Sequence, residues 1–180
     1  VYTNGDIDAD GEMVYAESRA LDLNAEVITL TDVALLNQLK VNIEGYASAG
    51  SEVVYAEMVD STIDGDSVTL TRVESRVVVD IDINAADLGV DDSAVTADNE
   101  LVELQNVFAL DVGNNGDELV ASELYVALDV DVDVTGSAYA DDDGIFMSSD
   151  EIAAAYFNSN DRIDLDDVTA KVDMNLNTGA

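Results

Sequence analysis

The sequence predicts an all-β fold, on three observations. Apolar and polar residues alternate with a period of two over long stretches. A block of 40 residues recurs without gaps, and the turns of this Pro-free chain are marked by Gly, Asn and Asp alone. With 180 residues, 48% of them hydrophobic, one β-rich domain over 1–180 can bury a sizeable core.

The repeat covers 12–50 and 51–90. Glu12-Met13-Val14-Tyr15-Ala16-Glu17 returns as Glu52-Val53-Val54-Tyr55-Ala56-Glu57, and Ile28-Thr29-Leu30-Thr31 as Val68-Thr69-Leu70-Thr71. Echoes of the first block at 118–123, and of the second at 102–107 and 163–168, are irregularly spaced. Tyr15 and Tyr55, at equivalent places, are expected to pack on each other.

Val77, Val79, Ile81 and Ile83 alternate with Asp80, Asp82 and Asn84, but Val68 and Leu70 sit on the other parity, so a bulge or corner is expected near Thr71–Val73. Straight, 68–84 would run ~56 Å, longer than ordinary strands, so it must bend or break. Downstream, Leu124 to Val134 alternates with Asp129, Asp131 and Asp133, predicting a strand with one wet acidic face. Turns fall at Gly45, 49–51, 64–66, 113–116 and 141–144. Ser148 and Glu151 form a capping box before an Ala-rich run, predicting a short helix over 149–158. The final run Val168, Ala170, Val172, Met174 and Leu176 alternates again, as the last strand of its own sheet or as a strand donated to a neighbour. Long twisted antiparallel strands in a β-sandwich fit this pattern better than a β-solenoid, because the later echoes break an even coil length.

Composition excludes much chemistry. Without Cys or His there are no thiol nucleophiles, Ser-His-Asp triads, disulfides or imidazole-bound metals within these residues. Forty acids against six Lys plus Arg give a formal charge of −34, which repels nucleic acid and anionic lipid and attracts cations. The longest apolar run, Ile152–Phe157, is far short of a membrane-spanning helix. Asp outnumbers Glu 28 to 12, which suits concentrated salt, where charge is screened, or Ca²⁺ held by carboxylates. A start at Val1 rather than Met fits a processed, exported chain.

Asp6-Ile7-Asp8-Ala9-Asp10-Gly11-Glu12-Met13-Val14-Tyr15-Ala16-Glu17 resembles the calcium loop of the EF-hand family: Asp at loop positions 1, 3 and 5, Gly at 6, a hydrophobe at 8 and Glu at 12. The resemblance implies Ca²⁺ ligands at Asp6, Asp8, Asp10, the Glu12 carbonyl and Glu17. It stops at the loop, because no incoming helix fits before Asp6 and β-pattern follows. A weaker candidate is Asp141 and Asp143, with Asp142 between them, before Gly144; weaker still is the acidic stretch Asp60, Asp64 and Asp66, read as a loop. The function expected is a non-catalytic extracellular or cell-surface structural subunit, such as a surface filament, pilus-like fibre, surface layer or adhesin module. Its acidic surface would be stabilised by Ca²⁺ or salt, and its self-association would run through the terminal strand Val168–Leu176. The alternatives are a monomeric calcium-binding module and a carboxylate-based hydrolase of a salt-adapted organism.

Overall fold

The computed structural model describes residues 2–86, 94–147, 152–160 and 162–178. These residues form strands β1 (Tyr2–Ala9), β2 (Val14–Ala49), β3 (Val54–Ala85), β4 (Val95–Ala97), β5 (Val102–Thr135), β6 (Ala138–Ala140), β7 (Ile145–Met147), β8 (Ile152–Ser159) and β9 (Arg162–Thr178). All belong to one sheet. The all-β class is therefore as the alternation predicts.

The antiparallel pairing expected of the long strands does not form; every pair among the described residues is parallel. The connections explain why. Straight, the 36 residues of β2 would extend about 119 Å. Yet the next residue, Gly50, donates to the Ala9 carbonyl at 2.9 Å, and Val54 pairs with Val14. The long strand thus bends back to its own starting edge, and the next strand begins one layer above it. Val54 therefore starts beside Val14, and β3 follows β2 in parallel register along its length.

That register superposes the repeat on itself: Val14 lies on Val54, Tyr15 on Tyr55 and Ile43 on Ile83. The Tyr15 and Tyr55 rings stack at 5.2 Å between centroids. The irregular later spacing is absorbed locally, through register shifts between Glu57 and Val59 and between Gly65 and Ser67 as β5 joins β3. The expected corner is present as well. Asp32, Arg72, Glu123 and Asp167 carry positive φ of 51–56° and lie in one column across β2, β3, β5 and β9. At a second corner Gly45 has φ 98° and Gly136 has φ 80°; a Cβ on Gly136 would meet the Ala85 carbonyl oxygen at 2.1 Å.

The helix expected over 149–158 is not there. Ile152–Ser159 is β8, paired in parallel with Val107–Asn114 of β5; Ser148 and Glu151, its expected cap, lie outside the described residues. The alanines favour a helix by only tenths of a kcal/mol each, roughly, and the open edge of β5 supplies every backbone partner an extended segment needs. Ala154 joins the core from this strand.

The core is built of apolar columns: Ile28, Val68, Leu119 and Ile163; Leu30, Leu70, Ala121 and Leu165; Val41, Ile81, Val132 and Leu176. Burial is graded along them. Ile81 in β3 is 1% exposed and Val41 in β2 is fully buried, whereas Leu176 in β9 keeps 45% of its surface. Ile81→Ala should accordingly cost about 2–5 kcal/mol of stability in denaturant titration, and Leu176→Ala less than half of that. Equal losses would contradict the layered arrangement.

Candidate functional site

The residues with chemical potential lie at the turns between layers, on one wet sheet face, in a cleft, and at one buried carboxylate. The turns stack as the strands do. Met13 N donates to the Glu52 carbonyl at 3.1 Å, Val53 N to the Glu100 carbonyl at 3.2 Å and Val102 N to the Gly144 carbonyl at 3.2 Å. The layers therefore superpose Glu12, Glu52, Glu100 and Asp143 along one edge, with Asp10, Gly50, Asp98 and Asp141 beside them. Two of the expected metal positions in the first loop, Asp10 and Glu12, and the weaker pair, Asp141 and Asp143, are thus opposite ends of one acidic edge.

Between those ends lies a cluster that sequence reading missed. Carboxylate oxygens of Glu52, Glu100 and Glu103 lie within 4.8 Å of one another, close enough to share a metal ion. Glu52 is 5% exposed and accepts hydrogen bonds from Ser51 Oγ at 2.7 Å and Asn99 Nδ2 at 2.9 Å. Burial, then the charges of Glu103, Glu52, Asp142 and Asp143, push the Glu100 carboxyl above its ordinary range. The repeat does superpose Glu52 on Glu12; Glu100 was hidden because β5 is displaced by 48 residues from β3 at this point, as Val54 pairs with Val102.

The remaining residues of the calcium-loop resemblance are placed elsewhere. Asp6 and Asp8 belong to extended β1, opposite Tyr46 and Ser48 of β2. Glu17 is exposed, accepts a hydrogen bond from the Tyr15 hydroxyl at 3.3 Å and lies in register with Glu57. With Glu57, Arg19, Asp22, Asn106 and Asp111 it lines a cleft of about 670 Å³. In that cleft Asn106 donates to Glu57 at 2.6 Å and Arg19 to Asp22 at 3.0 Å, while burial raises the Asp111 carboxyl.

On the wet face, Asp80 and Asp131 are neighbours, as are Asp82 and Asp133. Amides flank them: Asn42 donates to Asp82 at 3.4 Å, Asn175 to Asp131 and Asn177 to Asp133 at 3.0 Å each, and Lys40 pairs with Asp80. Burial and then Asp133 and Asp80 raise the Asp82 carboxyl. Like charges in direct register repel, so this face attracts cations.

Asp60, Asp64 and Asp66, read from the sequence as a loop, are instead within β3. Asp60 is fully buried. Its Oδ2 accepts from Ser75 Oγ and from Ser61 Oγ at 3.3 Å, whereas Oδ1 has no hydrogen-bond partner. Burial raises its carboxyl, the serine hydrogen bonds opposing.

Comparison with protein-family models, with curated proteins and with solved structures finds no match.

The buried and crowded carboxyls Asp60, Asp82, Glu100 and Asp111 are all shifted upward. Their folded forms hold protons more tightly than the unfolded chain, so their contribution is fully present below the ordinary carboxylate range and is lost as pH rises through the raised values. The melting temperature should be higher near pH 5 than at pH 8. Asp60→Asn, which removes the buried charge and keeps acceptor and shape, should gain on the order of 1–3 kcal/mol at pH 8 and flatten the pH profile. A loss of stability at pH 8 would show that the ionised carboxylate is required.

Proposed function

We propose that this chain is a non-catalytic structural unit of an extracellular or cell-surface assembly, a β-solenoid module of a filament, pilus-like fibre, surface layer or adhesin, whose acidic surface is screened or bridged by Ca²⁺ or salt. The observation that carries the reading is the repetition of carboxylates along the stacking direction, at the turn edge and on the wet face. Parallel layers repeat at about 4.8 Å, so like charges accumulate along an axis, and a formal charge of −34 needs counter-ions to hold such an array together. A structure extended by repetition is suited to spanning and display.

A monomeric calcium-binding module is the second reading, favoured by the Glu52, Glu100 and Glu103 cluster, where three carboxylate oxygens converge. A carboxylate-based hydrolase would instead use the cleft at Glu57 and Asp111, and Asp111→Asn would then abolish turnover of a glycoside substrate.

Light scattering during CaCl₂ addition, beside NaCl of matched ionic strength, separates the first two. The structural reading expects particle mass to grow in either salt, and at lower ionic strength with Ca²⁺ if the ion bridges the acids. Glu100→Gln should weaken the Ca²⁺ response specifically. Monomer mass throughout, with saturable Ca²⁺ binding, would overturn the structural reading in favour of the module.

A further inference from the structure

The cleft at Glu57 and Asp111 departs from the repeat that organises the rest of the fold. Two columns line it, Arg19, Val59 and Phe108, and Asp22, Thr62 and Asp111, so it crosses three layers, about 10 Å along the stack. The apolar core columns keep their character from layer to layer, whereas the first of these passes from guanidinium to aliphatic to aromatic. The register breaks here too. Between Glu57 and Val59 β3 has one residue, Met58, where β5 has two, Asn106 and Val107, between Gln105 and Phe108. Asn106 has φ 48°, and the bulge turns its amide onto Glu57, to which it donates at 2.6 Å. Bulges of this kind re-aim side chains beside functional sites.

We propose that the cleft binds an uncharged saccharide chain, laid along the stack across β2, β3 and β5. The proposal rests on the reading of the chain as a surface module and gives that module a ligand. A volume of about 670 Å³ is within the range of small-molecule sites.

Three features select this class of ligand. The first is an interleaved set of donors and acceptors: Arg19 and Asn106 donate, the carboxylates of Asp22 and Glu57 accept, and the Thr62 hydroxyl does both. Neighbouring hydroxyls of a sugar satisfy such a mixed set. A uronate would instead be repelled by the acids, and a polyamine by the Arg19 guanidinium lodged among them. The second is Asp111, which is half-buried and whose carboxyl accepts no hydrogen bond among the described residues. Burial raises it, with the Arg19 charge opposing, so it can serve a sugar hydroxyl as acceptor or, when protonated, as donor. The third is apolar surface placed beside these groups. Val59 and Phe108 lie in the cleft, and Tyr156 of β8, in register with Asp111 and 52% exposed, carries the same column one layer further. Aromatic faces pack on the C–H faces of a sugar ring while the ring's hydroxyls reach the polar groups alongside.

Calorimetric titration in molar NaCl, which screens adventitious charge, tests the proposal. The probes are tetramers of neutral hexoses and of N-acetylhexosamines, with oligouronates and spermine as charged controls. At least one neutral tetramer should bind with saturation, and the charged controls should not. Tyr156→Ala, at an exposed position, should weaken that binding roughly 3- to 10-fold. Asp111→Asn should weaken it roughly tenfold, whereas Tyr139→Ala, an exposed tyrosine outside the cleft, should leave it unchanged. The proposal falls if no neutral tetramer binds at millimolar concentration, if only spermine binds, or if binding survives both cleft variants. Growth of particle mass in salt without saccharide binding removes this site and leaves the structural reading. Saccharide binding by a chain that stays monomeric in every salt keeps the site and removes the assembly. Shortening of the bound tetramer, read by chromatography, keeps the site and overturns the non-catalytic reading.

Discussion

The in-register parallel stacking of one layer on the next is the constraint on which everything else depends. Each position meets its own equivalent one strand spacing away, so some columns are apolar throughout and others bring carboxylates together, while still others, such as Ala34, Glu74, Tyr125 and Thr169, are mixed. Apolar columns such as Val41, Ile81, Val132 and Leu176 gain from this, because each central residue is covered on both sides by a similar shape. The corner column of Asp32, Arg72, Glu123 and Asp167 holds the register, since a slip of one residue would move the left-handed bend and reverse the faces of the strand. Four non-glycine residues in that conformation are tolerated because the whole stack determines where the bend must fall.

The same constraint produces the molecule's main electrostatic cost. Carboxylates placed in register, as Asp82 and Asp133 are, cannot move apart without breaking backbone hydrogen bonds. Partial relief comes from the few cations: Arg72 pairs bidentately with Asp32 in the neighbouring layer, holding that carboxyl below its usual range, and Arg162 reaches Glu118 at 3.1 Å. Amides at the margins of the wet face relieve more, but the array is left to solution cations. Stability and association should therefore respond to salt together, since both depend on screening the same columns.

The sequence carried the period of the structure more plainly than its hand of pairing. The 40-residue recurrence became the register between β2 and β3, and the parity slip at Thr71–Val73 became the corner at Arg72. Parallel pairing was not readable from alternation, which is the same in either direction. Nor was the extended state of Ile152–Ser159, where helix-favouring alanines yield to the edge of β5. The Glu52, Glu100 and Glu103 cluster was half legible: the repeat places Glu52 on Glu12, whereas the longer segment between β3 and β5 concealed Glu100. Asp60 stood out only as one acid of an acidic stretch; its burial and its contact with Ser75, 15 residues on, are set by the bend of β3 and were not legible.

The most direct test of the stack is a distance between residues far apart in sequence. Thr29 and Asp164 are exposed and equivalent through Thr69 and Val120, three layers apart, so their backbones should be separated by ~14 Å. Nitroxide labels at these two positions, measured by dipolar spectroscopy on doubly labelled chains diluted with unlabelled protein, should show strong coupling at short range. A weak coupling corresponding to ~35 Å or more, comparable to the length of an extended ten-residue strand, would place the two segments outside a common stack and contradict the account.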